Sequence, residues 1–439
     1  MEVPLIQPEN SPPQTPLPPK PEQEEEPTET QLSNSLHHLE TFLRVFGFCQ
    51  DSFLSFTLSW VSFLLLGICL PLLIVEFSYC SDCRKFQIKS FELQILASQS
   101  LAAAISLLCV SHNLRKYGVR RFLFVDKFHG HMTQFREDYI QKIQGFFRLL
   151  AVWVLPCFLL KAAREVFRIG YIDKYSWWQS AGIIIGLLFS WTYSNIIFLS
   201  GSCLFNLVCN LQVIHFENYG KLVEMDLDVS AYIEEHIRLT HHLSKISHRF
   251  RIFLLLEFLV VTASQFVALL QTTGNHGIIN FINGGDFAVC SIVELVGIII
   301  CLHAAAKISH RAQALASVTS RWHALVTCNS SNPSQVGISN SGENIEVSFI
   351  TGSLPISYSE TDLEAADFVP VPTNTQLASF MSMYHKRQAF VTYMQSNRSG
   401  ATIFGWTVDR ALISTIFFVE LSLVLFVLGK TITFTFTTK

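Results

Sequence analysis

The sequence predicts an all-α fold, a bundle of seven membrane-spanning helices with a cytosolic N-terminus and an extracellular C-terminus. Seven apolar stretches, each close to the length of a membrane-spanning helix, follow the first fifty or so residues. Only 15% of the 439 residues are charged and 50% are hydrophobic, whereas soluble domains carry about 25% charged residues. Lysine and arginine concentrate in alternate connections between the stretches, which indicates the orientation.

Residues 1–45 are predicted to form a disordered cytosolic tail. This segment is rich in proline and glutamate, a composition that buries too little apolar surface to offset the entropy cost of ordering. The run Pro16-Leu17-Pro18-Pro19-Lys20-Pro21 is typical of polyproline ligands. The tail therefore either offers this run to a cytosolic partner or is simply solvated.

Residues 46–328 are predicted to contain the first six transmembrane helices with their cytosolic extensions, and residues 376–439 the seventh. The first stretch contains no lysine or arginine, and an aromatic belt from Tyr171 to Trp178 precedes the fourth, as at a membrane interface. The seven stretches are Phe53–Phe77, Phe91–Val110, Phe146–Leu160, Gly182–Val208, Phe250–Gln271, Phe287–Lys307 and Thr407–Leu428.

Basic residues set the orientation, because lysine and arginine resist translocation and collect on the cytosolic side. With the N-terminus inside, the inner connections hold most of these residues, whereas the segment between Thr272 and Asp286 holds none. Two glycosylation sequons, which begin at Asn329 and Asn397, then lie in the cytosol and are expected to stay unglycosylated. The basic residues of the inner connections fall within residues 115–148, 221–251 and 307–410.

Apolar residues continue at helical spacing beyond three of the stretches, on the predicted cytosolic side. The fifth helix is extended upstream from Val229 to Phe250, and the sixth downstream from Ile308 to Leu325. A cytosolic helix 7a, within Leu377 to Met394, precedes the membrane helix 7b. We expect these segments to pack as a cytosolic bundle rather than to lie on the membrane, because apolar stripes are unfavourable in water. Residues 329–375, rich in serine and asparagine, are predicted to be a flexible linker.

A cluster of charges lies near the outer end of the third helix. Lys161, Arg164 and Arg168 share one helix face, with Glu165 four residues after Lys161. One interpretation is that these side chains snorkel to the membrane interface. The other is that Lys161 and Arg164 line an outer pocket for a polar or anionic small molecule, together with three residues of the fourth helix. Those residues are Ser190, Tyr193 and Asn195.

Metal, cofactor and enzyme motifs are weak in this chain. Cys80 and Cys83, in the first outer connection, could form a disulfide or half of a zinc site. No second pair or nearby histidine completes tetrahedral zinc ligation, so we expect a disulfide or no bond, and no metal. Phosphate-binding loops and catalytic triads are absent from the sequence, and we therefore expect no enzymatic activity and no cofactor. The net charge of −3 argues against nucleic-acid binding.

The predicted arrangement resembles the insect odorant and gustatory receptors and, more closely, the plant gustatory-receptor-like proteins, a family of unknown function. The resemblance covers roughly residues 40–439 and rests on architecture: a cytosolic N-terminus, extended fifth and sixth helices and a split seventh. The insect signature in the last helix is Thr-Tyr, five apolar residues and Gln-Phe. Here the corresponding positions hold Ile413-Ser414, then Thr415 to Val419, then Glu420-Leu421, so the chain keeps only a polar residue after a mainly apolar run. The resemblance implies a homotetramer, a central cation pore lined by the last helix, and an outer ligand pocket in each subunit.

Acidic residues within the last three membrane stretches are the other functional candidates, since ionisable groups cost a few kcal/mol at the membrane centre. These are Glu257, Glu294 and Glu420. In a symmetric oligomer Glu420 would form a ring of carboxylates that attracts cations. The alternative is a protonated carboxyl hydrogen-bonded within one subunit. The resemblance places the candidate pore residues at Phe417, Glu420, Leu421 and Val424.

The sequence thus predicts a multi-pass protein of the plasma membrane or an endomembrane, with the lipid bilayer, a small-molecule ligand and further copies of itself as partners. The expected function is a ligand-gated or constitutive cation channel acting as a homotetramer. The alternative is a non-conducting receptor or scaffold that uses its helical bundle to bind other proteins. A G-protein-coupled receptor fits poorly, because the Asn-Pro-x-x-Tyr motif is absent from the last stretch.

Overall fold

A computed structural model shows ten α-helices and one β-hairpin among the residues that it describes. The apolar side chains of these helices form one main buried core that runs through the bundle. The described residues are 26–77, 89–124, 135–171, 177–223, 228–274, 281–329, 383–397, 399–403, 405–408 and 410–437. Residues 330–375 of the predicted linker, the Pro-rich run, and Cys80 with Cys83 lie outside these ranges.

Helix α1, Glu26–Val45, corrects the prediction of a disordered tail through residue 45. Leu32, Leu39 and Leu43 recur on one face of this helix and are buried. Phe42 of α1 packs edge-on against Phe146 of the third membrane stretch, with ring centroids 5.7 Å apart. The helix forms because this face is covered by tertiary contacts, although the overall composition of the segment is polar.

The first membrane stretch is one continuous helix made of three segments. They are α2 (Phe53–Phe63), a π-helical segment (Leu64–Cys69) and α3 (Leu70–Phe77). Pro71 has no backbone N–H and therefore leaves a carbonyl unsatisfied in the preceding turn. Ser100 of the second membrane stretch donates to the carbonyl of Gly67 at 3.1 Å, and Ser190 of the fourth donates to that of Leu66 at 2.6 Å. Two hydroxyls from neighbouring helices thus satisfy the backbone where it departs from α-helical geometry, as a membrane interior requires.

Five longer helices form the rest of the transmembrane core. Together with Phe53–Phe77, they give six segments among the described residues that are long and apolar enough to cross a membrane. The last helix, α10, Arg410–Thr437, has a shorter apolar part at Ala411–Val427. The five are α4 (Lys89–Leu123), α5 (Arg136–Tyr171), α6 (Trp177–Val223), α7 (Val229–Gly274) and α8 (Phe281–Asn329).

Helices α6, α7 and α8 extend far beyond the membrane at one end of the molecule. With 47, 46 and 49 residues, each is about 70 Å long, more than twice the hydrocarbon thickness of about 30 Å. The extensions of α7 and α8 agree with the sequence prediction, whereas that of α6 was missed. We call residues 209–223, 229–249 and 308–329, together with α9 (Met383–Ser396), the extension bundle.

The extension bundle is tied together by buried aromatic side chains. Tyr219 of α6 donates its hydroxyl to the carbonyl of Tyr232 of α7 at 2.9 Å. Phe390 of α9 stacks on Tyr232, with centroids 5.7 Å apart, and meets Trp322 of α8 edge-on at 6.4 Å. The apolar stripes predicted on α7, α8 and α9 therefore face one another, and α6 contributes to the same core.

A short hairpin connects α9 to α10. Strands β1 (Thr402–Ile403) and β2 (Trp406–Thr407) pair antiparallel, with Thr402 opposite Thr407. The backbone N–H of Ala401 donates to the hydroxyl of Ser309 on α8 at 3.0 Å, and that of Thr402 donates to Ser247 on α7 at 3.2 Å. The start of α10 is thereby fixed to the same helices that carry the extension bundle.

Candidate functional site

A cavity surrounded by buried charges lies at the end of the helix bundle opposite the extension bundle. Six charged side chains from α4, α5 and α8 surround it, and all are less than 9% exposed. Its wall also includes Pro71 and Ser190, so the irregular turn of the first stretch forms one side. We call it the ionic cleft; its charged residues are Glu92, Lys161, Arg164, Glu165, Arg168 and Asp286.

The three cations of α5 are paired with three carboxylates from three different helices. Lys161 forms an ion pair with Asp286 of α8. Arg164 contacts its neighbour Glu165 at 2.5 Å and Glu92 of α4 at 3.6 Å. Arg168 contacts Glu92 and Glu165, each at 3.4 Å. The formal charges of the six side chains cancel, as expected in a low-dielectric site where an unpaired charge is strongly unfavourable.

The charged lining of the ionic cleft favours a small charged or polar ligand. The cavity has a volume of about 50 Å³, enough for a few water molecules, whereas sites for larger organic ligands occupy about 300–1,000 Å³. A larger molecule therefore has to separate some of the ion pairs and replace one of the partners. A carboxylate or phosphate suits this exchange, because it could take the place of Asp286 beside Lys161 and Arg164.

The structure brings together three of the five predicted pocket residues. Lys161, Arg164 and Ser190 line the ionic cleft. Tyr193 packs instead against Phe46, with ring centroids 6.3 Å apart. Asn195 donates its side-chain amide to the carbonyl of Trp191 within α6 at 2.7 Å. Neither residue lines the cleft.

The snorkelling interpretation of the α5 cations is wrong. Lys161, Arg164 and Arg168 are 5–8% exposed and point into the bundle. Their carboxylate partners on other helices, Glu92 and Asp286, were not among the predicted site residues. A signal for them was present in the sequence, since each is an acidic residue close to the end of an apolar stretch.

The three intramembrane glutamates are each buried and hydrogen-bonded within the subunit. Glu257 accepts a hydrogen bond from Ser202 at 2.9 Å. Glu294 accepts from Ser98 at 2.5 Å and from Ser264 at 2.9 Å, and Glu420 accepts from Thr262. These side chains, only 1–5% exposed, thus have internal partners that reduce the cost of placing a carboxyl group in the membrane.

Two of these glutamates lie on a polar path between the ionic cleft and α10. A second cavity of about 20 Å³, lined by Ser98, Ser264 and Glu294, shares Ile95 with the ionic cleft. Two residues along α7 from Ser264, Thr262 donates to Glu420 of α10. Helix α7 therefore contacts both the second cavity, which adjoins the cleft at Ile95, and the helix predicted to line a pore.

The predicted pore residues do not share one exposed face of α10. Glu420 and Val424 are buried within the subunit, at 2% and 4% exposure, and Phe417 and Leu421 are half-buried. The exposed face of α10 instead carries large apolar side chains. These are Phe418, Val419, Leu425 and Phe426. The carboxylate ring stays a prediction, and it requires Glu420 to leave its contact with Thr262.

Among the described residues, none form a group of three or more histidine, cysteine or acidic side chains that could hold a metal ion.

Comparison with solved structures confirms the insect-chemoreceptor-like fold. The olfactory receptor OR5 of the insect Machilis hrabei in complex with eugenol aligns with 91% of this chain and 99% of its own, at a TM-score of 0.50 and 11% identity. The structure of the same receptor described without eugenol aligns with 89% of this chain and 98% of its own, at a TM-score of 0.52 and 10% identity. Among curated proteins, none matches the chain. A family model described as "Protein of unknown function (DUF3537)" matches residues 34–419, and the chain therefore belongs to this family.

Proposed function

We propose that this protein is a chemoreceptor-like membrane protein that binds a small charged or polar molecule in the ionic cleft and gates a cation pore. The observation that carries the proposal is the ionic cleft itself, six buried charges around a cavity at one end of the bundle. The polar path along α7 gives a physical route by which separation of the ion pairs could move α10. The fold is shared with an olfactory receptor whose structure contains the small molecule eugenol.

The proposed assembly is a homotetramer of seven-span subunits of the plant gustatory-receptor-like type, with the α10 helices around a central pore. The apolar face of α10 supports this arrangement, because it exposes Phe418 and Phe426 beside a groove against Leu269 of α7. Mass photometry of the protein in nanodiscs measures the number of subunits directly. A particle with the mass of one subunit would contradict the tetramer.

In the proposed orientation the N-terminus and the extension bundle are cytosolic and the ionic cleft opens to the outside. Asn397 lies in an exposed turn after α9, and we expect it to stay unglycosylated when the chain is made in a eukaryotic secretory pathway. A flexible tail with a new sequon, appended after Lys439, is expected to be glycosylated. The test is a gel shift on glycosidase treatment, and the reverse pattern would show the inverted orientation.

The function is tested by combining ligand binding with conductance. The purified chain is screened by thermal unfolding against small carboxylates, phosphates and amines, and then reconstituted for planar-bilayer recording. A ligand that both raises the unfolding temperature and changes the cation current supports the proposal. Binding without current under any condition would instead favour the non-conducting receptor. The absence of both binding and current would favour a scaffold.

Replacing Glu420 with glutamine tests the pore. If Glu420 contributes a carboxylate to the ion path, Glu420→Gln lowers the permeability to cations relative to anions several-fold, because the ring loses its charge. The matched control is Glu257→Gln, a buried glutamate of α7 that bonds Ser202 and Cys301. Reversal potentials under a salt gradient measure the selectivity. Unchanged selectivity in Glu420→Gln would exclude the ring.

A further inference from the structure

A second charged site lies at the other end of the membrane helices, where α5, α6 and α8 meet the extension bundle. A cavity of about 400 Å³ opens there between α6 and α8, and its lining includes Glu217, Lys221 and Arg311. Lys307 lies one turn before Arg311 on α8, and Lys142 of α5 is near enough for its charge, like those of Glu217 and Arg311, to act on the Lys307 ammonium. We call this the basic groove; its charged residues are Lys142, Glu217, Lys221, Lys307 and Arg311.

The basic groove has a surplus of positive charge, unlike the ionic cleft. Arg311 pairs with Glu217 at 3.2 Å, and both side chains are about half exposed. Lys307 donates to the neutral side-chain carbonyl of Asn210 at 2.6 Å rather than to a carboxylate. Lys142 and Arg311 repel its ammonium group. Asp138 lies one turn before Lys142, but even with this residue four cations face two carboxylates, so the groove favours an anion.

The end of the groove nearest the membrane, at Lys307 and Lys142, is expected at the level of the lipid headgroups. Lys307 ends the apolar stretch of α8, and Lys142 lies four residues before the apolar stretch of α5 begins at Phe146. Long basic side chains at such positions reach the headgroup layer. Phe216 and Leu315 give the cavity an apolar wall, and its volume falls in the range of about 300–1,000 Å³ found for small-molecule sites. An anion with an attached lipid tail fits this combination of charge, depth and size.

We propose that the basic groove binds the headgroup of an anionic phospholipid that carries phosphomonoesters, a phosphoinositide. A phosphomonoester carries a charge of about −1.5 to −2 at neutral pH and three acceptor oxygens. Several such groups can each contact a different one of the cations, which come from three helices. The single phosphodiester of an ordinary acidic lipid cannot contact all of them. The bound headgroup links α5 to α6 and α8 at the base of the extension bundle. This inference depends on the proposed orientation only for the choice of leaflet, which is the cytosolic one.

The test uses the full chain in phosphatidylcholine nanodiscs that contain either phosphatidylinositol bisphosphate or an amount of phosphatidylserine with the same total charge. We expect the phosphoinositide to raise the unfolding temperature and to be retained in native mass spectra, and phosphatidylserine to do neither. The double variant Lys307→Gln with Arg311→Gln is expected to bind the phosphoinositide roughly 25-fold more weakly, about fivefold per basic residue removed. The matched control, Arg238→Gln, removes an exposed arginine of α7 that pairs with Glu235 at 3.2 Å, and leaves binding unchanged.

Either of two other outcomes overturns the inference. Equal stabilisation by phosphatidylserine would mean that the groove is only part of a generally basic surface. Equal stabilisation by soluble inositol trisphosphate in plain nanodiscs would mean that the ligand is not a lipid. If the double variant loses stability in plain nanodiscs, Lys142→Gln with Lys221→Gln replaces it, with the same expected loss of binding. No conductance is measured, so failure of the channel proposal leaves this test intact.

Discussion

Replacing Glu165 with glutamine is expected to destabilise the protein by about 3–5 kcal/mol, because it breaks a buried ion pair on one side only. Glu165 is 1% exposed and is the carboxylate that contacts all three cations of α5. Its oxygens lie 3.4 Å from Lys161, 2.5 Å from Arg164 and 3.4 Å from Arg168. Glutamine keeps the size of the side chain but leaves three cations against two carboxylates in a buried site.

The measurement is thermal and denaturant unfolding of the chain in nanodiscs of one lipid composition. The control is Glu40→Gln, which removes the exposed pair between Glu40 and Arg44 at 2.9 Å and costs about 0–1 kcal/mol. The double variant Glu165→Gln with Arg168→Gln restores equal numbers of cations and carboxylates, and we expect it to recover part of the lost stability. If Glu165→Gln costs no more than the control, the cleft does not depend on charge balance.

The sequence predicts features of this fold that depend on local spacing. Apolar runs mark the membrane helices, and the three-to-four periodicity from Val229 to Phe250 correctly gives the buried face of α7. The same reasoning places Lys161, Arg164 and Arg168 on one face of α5. Each of these inferences needs only residues within one helix, where the periodicity of 3.6 determines which side chains are neighbours.

Contacts between helices could not be predicted in this way. Glu92 lies 76 residues from Arg168, and Asp286 lies 125 residues from Lys161. One sequence contains no signal that pairs residues at such separations, so the α5 cations were open to the snorkelling interpretation. Glu420 is similar: its depth in the last stretch could be predicted, but its contact with Thr262 depends on how α10 packs against α7.

Composition misled the prediction at the N-terminus. The spacing of Leu32, Leu39 and Leu43 is helical, yet the surrounding residues are polar and the preceding ones rich in proline. An isolated helix of this length is marginal in water, and α1 is stabilised by α5 rather than by its own propensity. The stability of α1 therefore depends on contacts such as that between the rings of Phe42 and Phe146. The sequence alone does not predict which rings are in contact.

Replacing Phe390 with alanine is expected to release α9 from the extension bundle. Phe390 is 0% exposed and lies between Tyr232 of α7 and Trp322 of α8, with centroid distances of 5.7 and 6.4 Å. Truncation of a buried phenylalanine costs about 3–5 kcal/mol. Helix α9 has only 14 residues and is marginal in isolation, so we expect this cost to appear as local opening before the membrane helices are affected.

Hydrogen exchange followed by mass spectrometry measures this opening segment by segment. Amides of α9 and of the Thr402–Thr407 hairpin are expected to exchange faster in Phe390→Ala, while those of α4 and α5 keep their rates. The control is Tyr384→Ala on the same helix, because Tyr384 is 47% exposed and its loss leaves the stack of Phe390, Tyr232 and Trp322 intact. Faster exchange that includes the hairpin means that α9 holds the start of α10 in place, since the hairpin joins them. Faster exchange in α9 alone means that Ser309 and Ser247 fix the hairpin without its help, and unchanged exchange in α9 would contradict the anchoring role of Phe390.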